Sequence, residues 1–336
     1  MLDFIRVAAC VPTVTVGNTL RNTEAILGMA RKAAEKQPQL TVFPELSLTG
    51  YTCADLFFQS ALLQGAKDGL REIVRASAAL SSALAVGLPL ELGGRLYNCA
   101  AIVAGGRLLG LVPKTYIPNY NEFYEKRWFT PGAELALSEV NAEALGLGDL
   151  QGEDVPIGTD LIFDAGAFRF GAEICEDLWA TVPPSAYLAM GGAEVMLNLS
   201  ASNETISKRR YRRSLVSAQS AAQLDGYVYV SAGCTESTTD LIFSGHSMIC
   251  EAGRMIAENR ETIDGDYILF GDIDLGQMRV DRLKIKTFAD GAAQNARSFR
   301  RVAVPLEIPE NDLSYYPVGR LPFVPDAKSD RTERGM

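Results

Sequence analysis

Short apolar runs rich in β-branched residues alternate with helix-like patterns in both halves of this 336-residue chain. The runs in the first half are IRVAACV, LTVFPEL and ALAVGLPLEL, and those in the second are DLIFDAGAFRFGAEI, AEVMLNLS and YVYVSA. Parallel strands need crossover connections, which helices usually supply on the outside of the sheet. The alternation, with hairpin-like runs closing each half, therefore predicts a layered α/β protein with mixed sheets.

Two helices and one long loop are predicted at particular positions. Asn18 or Thr19 caps a first helix that runs through Lys36, and a second helix covers residues 67–84. The apolar stripe expected on the first helix consists of Leu20, Leu27, Ala30 and Ala34. Residues 138–158 are polar, contain glycine and have no clear period, which indicates an inserted loop.

Charge and composition narrow the classes of partner. The formal net charge is −9, and 47% of the residues are hydrophobic. An acidic chain of this kind argues against nucleic acid or an anionic membrane as a whole-surface partner. The N-terminal stretch MLDFIRVAACVPTVTV has neither a basic start nor a long apolar core, so we expect neither a secretory signal nor a membrane span.

Cysteine and histidine usage limits the possible chemistry. Six scattered cysteines without a CxxC pair indicate free thiols in a reducing cytoplasm. His246 is the single histidine, which excludes HExxH zinc sites and metal sites built on several histidines. Any Ser-His or Cys-His mechanism would have to use this one residue.

Cys175 stands among acidic residues in the stretch GAEICEDLW. Alternation along the preceding strand places Phe170 on one face and both Glu173 and Cys175 on the other. Glu176 and Asp177 then fall in the following turn and point away from the sulfur. The end of a strand is where α/β folds place reactive groups, so the position suits a nucleophile. The alternative is a small buried hydrophobe, which is the commoner role of an arbitrary cysteine.

Two further residues at strand ends are candidates for the same chemistry. Glu45 follows a proline at the end of an apolar strand, where a partly desolvated carboxylate could act as a general base. Lys114 follows the run LLGLVP, where its charge could hold a thiolate or an oxyanion. The alternatives are a surface loop glutamate and a lysine that extends into solvent.

The three segments FPELSLTGY, VPKTYIPNYNEFYEKRWF and GAEICEDLW together resemble the Glu-Lys-Cys signature of the nitrilase/amidohydrolase (carbon-nitrogen hydrolase) superfamily, in order and in approximate spacing. The resemblance is closer to one branch, the glutamine-hydrolysing N-terminal domains of glutamine-dependent NAD synthetases. Supporting stretches are VPIGTDLIF, NLSASNETISKRRYRRSLV, LIFSGHSMI and RLPFVPD. The resemblance covers nearly the whole chain, and it implies a four-layer αββα sandwich of two mixed sheets flanked by helices.

The resemblance also implies the roles of individual residues. Cys175 would be the nucleophile, Glu45 the general base, Lys114 the stabiliser of the tetrahedral intermediate, and Glu125 a second glutamate that positions the triad. Glutamine would be bound by a set of six residues: Tyr51, Tyr120, Phe123, Glu176, Ser202 and Lys208. His246 has no role in such a mechanism and is interpreted as a structural strand residue.

The residues themselves leave some of these assignments open. Glu122 and Glu125 are spaced i,i+3 on a predicted short helix, so either could lie on a solvated helix face. Ser202 could be a turn or cap residue before the helix predicted over residues 206–224. The basic run KRRYRR, residues 208–213, could be a solvated helix face or could contact substrate or a partner domain. The net negative charge of the chain argues against nucleic acid as its ligand.

The predictions on domains and cofactors depend on motifs of the resembled synthetases that this sequence does not contain. The second domain of the resembled synthetases binds ATP and nicotinic acid adenine dinucleotide, but this chain has neither a Ser-Gly-Gly-type loop nor a GxxxxGK[ST] motif. We therefore expect a hydrolase domain over residues 1–304 and an extension with the start of a linker over residues 305–336. No cofactor is expected in this chain, since ATP and Mg²⁺ would belong to the absent synthetase domain.

The expected partners are L-glutamine, the synthetase domain of the same full-length protein, and further copies of the chain in a homo-oligomer. One rival hypothesis keeps the triad and makes the chain a stand-alone amidase or nitrilase for another small amide or nitrile. A second rival, from another class, is a non-catalytic interaction module in which the cysteine is simply buried.

Overall fold

Strands and helices alternate along residues 3–318, the part of the chain that the computed structural model describes. The strands are β1 (Phe4–Val11), β2 (Leu40–Val42), β3 (Ala83–Leu92), β4 (Arg95–Ala104), β5 (Arg107–Pro113), β6 (Asn119–Tyr120), β7 (Phe123–Tyr124), β8 (Glu139–Val140), β9 (Val155–Pro156), β10 (Leu161–Asp164), β11 (Arg169–Ile174), β12 (Val195–Ser200), β13 (Gly226–Ser231), β14 (Ser247–Glu251), β15 (Arg254–Glu258), β16 (Tyr267–Asp274) and β17 (Arg300–Ala303). The α-helices are α1 (Thr19–Ala34), α2 (Ser60–Ser77), α3 (Pro184–Met190), α4 (Lys208–Gln223), α5 (Leu275–Lys284) and α6 (Lys286–Gln294). Short 3₁₀ helices cover Ala54–Phe58, Glu125–Arg127, Gly132–Glu134 and Cys175–Trp179.

Two large mixed sheets organise these strands. The first has the order β16-β1-β2-β3-β4-β5, with parallel pairing among β1, β2 and β3 and antiparallel pairing elsewhere. The second has the order β15-β14-β13-β12-β11-β10-β17, with β11, β12 and β13 parallel to one another. The parallel strands at the centre of each sheet are the ones that helices connect. The ends of β2 and β11, which are parallel strands, and of the antiparallel edge strand β5 lead into the residues described below.

Three apolar cores separate four layers. The first lies between the inner faces of the two sheets and includes Val7, Ile102, Phe163 and Val228. The second joins the outer face of the first sheet to α1 and α2, and the third joins the outer face of the second sheet to α3 and α4. The order of layers is helix, sheet, sheet, helix, so the predicted αββα sandwich is confirmed.

The first helix buries a different face from the predicted one. Asn18 caps α1 by accepting a hydrogen bond of 3.2 Å from the Arg21 N–H, but the helix ends at Ala34, and the side chain of Leu20 is 70% exposed. The buried face includes two polar residues, Asn22 and Thr23. Asn22 donates to backbone carbonyls of two loops, which satisfies its amide inside the protein. A stripe chosen by hydrophobicity alone could not include it.

The second helix and the predicted loop also differ from expectation. Helix α2 covers Ser60–Ser77 rather than residues 67–84, because the apolar residues after position 82 belong to β3. Residues 138–158 contain the paired strands β8 and β9 and contribute Val140 and Leu147 to the core between the first sheet and its helices. Tertiary burial orders a segment that has no local period.

The chain after β17 contacts both large sheets, reaching the first through Tyr315 and the second through Tyr316 and Pro317. Arg6 and Asp272 form an ion pair of 2.8 Å, and the Tyr315 ring lies with its centroid 4.7 Å from the Arg6 guanidinium carbon. The Tyr315 N–H donates to Asp272 at 2.9 Å. The stretch RLPFVPD lies outside the described residues, so the division at residues 304 and 305 stays a prediction.

All six cysteines are free thiols. Among residues 3–318, no helix is both long enough and apolar enough to cross a bilayer. In the same part of the chain, no group of three or more His, Cys, Asp or Glu side chains is arranged to hold a metal ion.

Candidate active site

Three buried side chains follow the carboxyl ends of three strands. Glu45 comes shortly after β2, Lys114 directly after β5, and Cys175 directly after β11. Their exposed fractions are 1%, 0% and 6%. The first two strands belong to the first sheet and β11 to the second, so the packing of the sheets brings the three residues to one place.

A buried ion cluster links two carboxylates to one ammonium group. The Lys114 Nζ donates to Glu45 Oε1 at 2.6 Å and to both carboxylate oxygens of Glu125 at 2.8 and 2.9 Å. The Tyr51 hydroxyl donates to Glu125 Oε1 at 2.8 Å. Glu125 is therefore fixed by hydrogen bonds from both Lys114 and Tyr51. In the sequence, its role was indicated only by the family resemblance.

One oxygen of Glu45 is left free by this arrangement. Its Oε1 accepts hydrogen bonds from Lys114 and, at 2.6 Å, from the side-chain amide of Asn98. Its Oε2 is buried and has no hydrogen-bond partner among the described residues. A buried carboxylate oxygen without a partner is costly, and here it leaves one acceptor atom of Glu45 unused beside the ion cluster.

The backbone turns sharply at Cys175. Its φ angle is +44°, a left-handed conformation that is rare for residues with a side chain and that concentrates at functional sites. The turn breaks strand alternation, so Cys175 joins the core between the sheets together with Phe170 and Ile174. The prediction that Cys175 shares a face with Glu173 was wrong for this reason.

The electrostatic environment keeps the Cys175 thiol protonated. Burial raises the pKa of this thiol, and the charges of Glu45 and Glu125 raise it further, whereas Lys114 and a hydrogen bond from the Ala201 N–H lower it. The net direction is upward, so a reaction at this sulfur needs a base that removes its proton.

The cluster also shifts the pKa values of its own members. Burial raises the pKa of Glu125 to about 7, and Glu45 adds to this effect while Lys114 opposes it. Burial lowers the pKa of Lys114, but the charges of Glu125 and Glu45 outweigh it and raise that pKa well above its usual range. Lys114 therefore stays charged, and its single positive charge forms ion pairs with both Glu45 and Glu125.

The acidic neighbours of Cys175 are engaged elsewhere. Glu173 points to the helix side, where it accepts a hydrogen bond from the Ser185 N–H at 2.9 Å and another from the Tyr227 hydroxyl. Asp177 accepts from the N–H groups of Ile174 at 3.0 Å and Tyr116 at 2.8 Å. This carboxylate thus ties the turn that holds Cys175 to the segment that follows Lys114.

The residues assigned to glutamine by resemblance gather beside Cys175. The Tyr120 hydroxyl donates to Glu176 at 2.9 Å. The Lys208 Nζ lies 5.3 Å from the ring centroid of Phe123 and 5.5 Å from that of Trp179.

Ser202 is buried and follows Ala201, whose N–H reaches the Cys175 sulfur. Tyr51 differs from its assignment in one respect, because its hydroxyl is bound to Glu125. The aromatic ring of Tyr51 still borders the cavity described below.

Glu122 and Glu125 do not share a helix face. Glu122 lies in the turn between β6 and β7, and the 3₁₀ helix begins only at Glu125. The two carboxylates therefore diverge: Glu125 contacts Lys114, and Glu122 accepts a hydrogen bond of 2.5 Å from the Asn203 side chain. Neither is the plain solvated helix residue that the i,i+3 spacing allowed.

Sequence reasoning missed Asn98 and Asn203. Asn98 lies in the middle of β4, and its backbone carbonyl accepts the Lys114 N–H at 2.8 Å while its side chain binds Glu45. A polar amide inside the apolar run LYNCAAIVA was the available signal, because such a group must find a partner when buried. Asn203 gave no comparable signal in its polar segment.

A cavity of about 230 Å³ adjoins the site. Its lining includes Tyr51, Glu122, Tyr124, Trp128 and Asp240. Cys175 is not among the lining residues, so the cavity meets the ion cluster through Tyr51, whose hydroxyl donates to Glu125. Aromatic rings and polar side chains both line it, a combination that is found in small-molecule sites.

Replacing Gly87 by alanine should displace Glu45. Gly87 lies in β3, and a Cβ added there would be 2.3 Å from the Leu46 nitrogen and 2.8 Å from the Glu45 carbonyl carbon. Both neighbours are backbone atoms, which cannot rotate away as a side chain would. If Glu45 is a catalytic group, Gly87→Ala should lower the reaction rate at least about tenfold, as misplaced catalytic groups do, measured by steady-state kinetics.

Gly28→Ala is the matched control for this change. No atom lies within 4 Å of a Cβ built at Gly28 in α1. Alanine should stabilise the helix by about 0.5–1 kcal/mol there, with no effect on activity. Equal activity of the two variants would contradict the role of Gly87.

Comparison with known proteins places these residues in a family context. The profile of the carbon-nitrogen hydrolase family matches residues 6–282. Glutamine-dependent NAD(+) synthetase of Mycobacterium tuberculosis is 41% identical over 329 residues, which cover 96% of this chain and 47% of that protein. The synthetase of the same name from Thermotoga maritima is 27% identical over 325 residues, 92% of this chain and 51% of that protein. The chain thus spans about half the length of these curated relatives.

Solved structures share the fold. A glutamine-dependent NAD(+) synthetase from Cytophaga hutchinsonii superposes with a TM-score of 0.71 at 26% identity, covering 80% of this chain and 43% of that chain. A carbon-nitrogen hydrolase from Helicobacter pylori has a TM-score of 0.65 at 19% identity, covering 86% of this chain and 94% of that chain. At that lower identity the likeness concerns the fold alone.

Proposed function

Because the chain belongs to the carbon-nitrogen hydrolase family, we propose that its site hydrolyses the side-chain amide of L-glutamine to glutamate and ammonia. The observation that carries the proposal is the free Oε2 of Glu45 in a buried cluster whose charges act on the Cys175 thiol. The identity of 41% to a glutamine-dependent NAD(+) synthetase supports glutamine as the substrate.

Cys175 acts as the nucleophile and Glu45 as the general base. The sulfur attacks the amide carbon while Glu45 takes the thiol proton, so that no free thiolate has to exist in the resting site. Glu45 then delivers this proton to the leaving nitrogen, the carbon–nitrogen bond breaks, and ammonia leaves a thioester on Cys175. In the second half, Glu45 removes a proton from water, the resulting hydroxide displaces the sulfur, and the thiol regains its proton as glutamate leaves.

Lys114 stabilises the tetrahedral intermediates. Its raised pKa keeps the ammonium charged throughout the cycle, and a backbone N–H following Cys175 is the second donor to the oxyanion. Glu125 positions Lys114 through its two hydrogen bonds. The buried setting strengthens these interactions because little water competes for them.

The amino-acid end of glutamine is bound by the residues around the pocket. Lys208 carries the positive charge that suits a carboxylate, and the Tyr120–Glu176 pair offers acceptors for an ammonium group. Phe123 and Tyr51 provide apolar walls, and Ser202 lies next to the Ala201 N–H.

In the larger reaction, the released ammonia would serve the amidation of nicotinic acid adenine dinucleotide in NAD biosynthesis. The relatives are about twice as long as this chain, and they are glutamine-dependent NAD(+) synthetases. We propose that a synthetase domain of the same protein is the partner, that ATP and Mg²⁺ bind there, and that copies of the chain form a homo-oligomer.

Replacing Cys175 by alanine should abolish ammonia release from L-glutamine. The loss should be at least about 10³-fold in kcat, since removal of a nucleophile leaves only binding and electrostatic contributions. Ammonia and glutamate are measured by coupled assays, and the parent protein should release them in equal amounts. Cys234→Ala, which removes a half-buried thiol elsewhere, is the matched control.

The same assay separates the rival functions. Release of ammonia from simple amides such as propionamide, with none from glutamine, would indicate a stand-alone amidase instead. Rapid alkylation of Cys175 by iodoacetamide, blocked by L-glutamine, is expected of the proposed enzyme. A thiol that stays unreactive in the parent would favour the non-catalytic interaction module.

A further inference from the structure

A buried arginine–histidine pair lies behind the proposed substrate pocket. Arg212 of α4 is completely buried, and its guanidinium lies 2.9 Å from the His246 Nδ1. The other ring nitrogen of His246 lies 3.0 Å from Glu258 Oε1. Neither Arg212 nor His246 takes part in the chemistry proposed at Cys175.

The two contacts of His246 define its protonation state. Burial and the charges of Arg212, Arg209 and Arg213 lower the pKa of this histidine to about 2, so the ring is neutral. A guanidinium has no acceptor, so Nδ1 must accept from Arg212, and Nε2 must carry the proton that is donated to Glu258. The single histidine of the chain thus joins a cation to a carboxylate through two oriented hydrogen bonds.

Arg212, which is oriented by His246, also fixes the backbone of Asn203. Its second terminal nitrogen donates to the Asn203 backbone carbonyl at 3.0 Å. The side chain of Asn203 donates to Glu122 Oε1 at 2.5 Å and accepts a hydrogen bond from the Lys208 ammonium. Asn203 is therefore fixed through its backbone, and its amide stands between two charged groups of the pocket.

Lys208 depends on this support for its position. Its side chain is partly buried between the rings of Phe123 and Trp179, and this burial lowers the pKa of its ammonium group. A lysine has a long flexible side chain, and holding its ammonium at one place costs conformational entropy unless a hydrogen bond fixes it. Asn203 Oδ1 supplies that hydrogen bond.

We infer that Arg212 and His246 are positioning residues, which hold Asn203 and, through it, place the Lys208 ammonium for the carboxylate of the amino-acid substrate. This inference rests on the proposed glutaminase function and extends it. The pair sets the affinity for the charged end of the substrate, while the amide chemistry at Cys175 is left to the cluster of Glu45, Lys114 and Glu125.

Two substitutions of His246 and one control test the inference kinetically. His246→Leu removes both hydrogen bonds, and we expect the KM for L-glutamine to rise about tenfold with kcat within about twofold. His246→Gln can accept from Arg212 and donate to Glu258, so it should restore most of the affinity. Arg213→Gln removes another ion pair to Glu258 without touching Arg212, and its KM should equal that of the parent.

A second measurement does not depend on activity. Acylation of Lys208 by an N-hydroxysuccinimide ester is followed by peptide mass spectrometry, with the exposed Lys32 as internal reference. We expect Lys208 to react several-fold faster in His246→Leu, because it loses its fixed partner, and at the parent rate in His246→Gln and Arg213→Gln. Unchanged labelling in His246→Leu would overturn the inference, even where glutamine is hydrolysed. Faster labelling in a protein that does not hydrolyse glutamine would uphold the positioning of Lys208 and refute the glutaminase function instead.

Discussion

Glu45→Gln is expected to lower kcat for glutamine hydrolysis by about 10²–10⁴-fold, the usual contribution of a general base. The substitution keeps an oxygen acceptor for Lys114 and Asn98 but leaves no group that can take the thiol proton. Because burial and two carboxylates hold the pKa of Cys175 above its usual range, the thiol has no other route to its reactive form. Ammonia release under substrate saturation measures the effect.

The control for this variant is Glu24→Gln, which neutralises an exposed glutamate on α1. It should match the parent in both kcat and KM. Far-ultraviolet circular dichroism of Glu45→Gln checks that the variant is folded, and its spectrum should match that of the parent. A variant that kept more than about a tenth of the parent kcat would assign proton transfer to another group.

Lys114→Met should reduce the free energy of unfolding by about 3–5 kcal/mol at neutral pH, besides abolishing activity, because it leaves buried carboxylates without their counter-charge. Lys114 is fully buried between Glu45 and Glu125. A methionine of similar length fills the space but cannot compensate two negative charges. Chemical denaturation of parent and variant measures the loss.

The loss should depend on pH in a defined direction. The folded-state pKa of Glu125 is about 7 in the parent, above the ordinary value of 4.5, so the folded protein binds this proton more tightly than the unfolded chain. Removing Lys114 raises that pKa further, since the positive charge and the hydrogen bonds that lower it are lost. The destabilisation should therefore be largest above pH 7 and should shrink as the pH falls towards 5.

Adding Glu125→Gln to Lys114→Met completes the test. The double variant has one buried carboxylate instead of two, so it should recover part of the lost stability at neutral pH and show a weaker dependence on pH. If Lys114→Met were as stable as the parent at pH 8, the ion cluster would not carry the electrostatic cost assigned to it.

The main features of the fold were predictable because they repeat along the chain. Apolar runs separated by helical patterns indicate strands connected by helices, and the observed sheets follow that order. The predictions failed where contacts from distant segments outweigh local pattern. Leu20 is exposed while Asn22 is buried, because loops around residues 15 and 48 satisfy the amide of Asn22.

In the site, too, the local pattern predicted some features, and contacts between distant segments decided the others. Glu45, Lys114 and Cys175 each follow a strand, and this position can be predicted from the local sequence. Only the resemblance of the three segments taken together indicated that the residues act in one site. The face of Cys175 was mispredicted, because a φ of +44° interrupts the strand period at that residue. Asn98 was missed because its partners, Glu45 and the Lys114 N–H, lie in other segments.

The layered α/β class and the three candidate residues at strand ends were predictable from the chain alone, since both depend on the local direction of the backbone. The tertiary structure decided that Lys114 is shared by Glu45 and Glu125, that one Glu45 oxygen is left free, and that His246 supports the pocket from behind. Protonation and charge sharing depend on burial and on the distances between side chains from remote segments. Lys114 Nζ and Glu45 Oε1, for example, are 2.6 Å apart although the residues are 69 positions apart in the sequence. These quantities exist only once the strands of the first sheet have paired and the second sheet has packed against it.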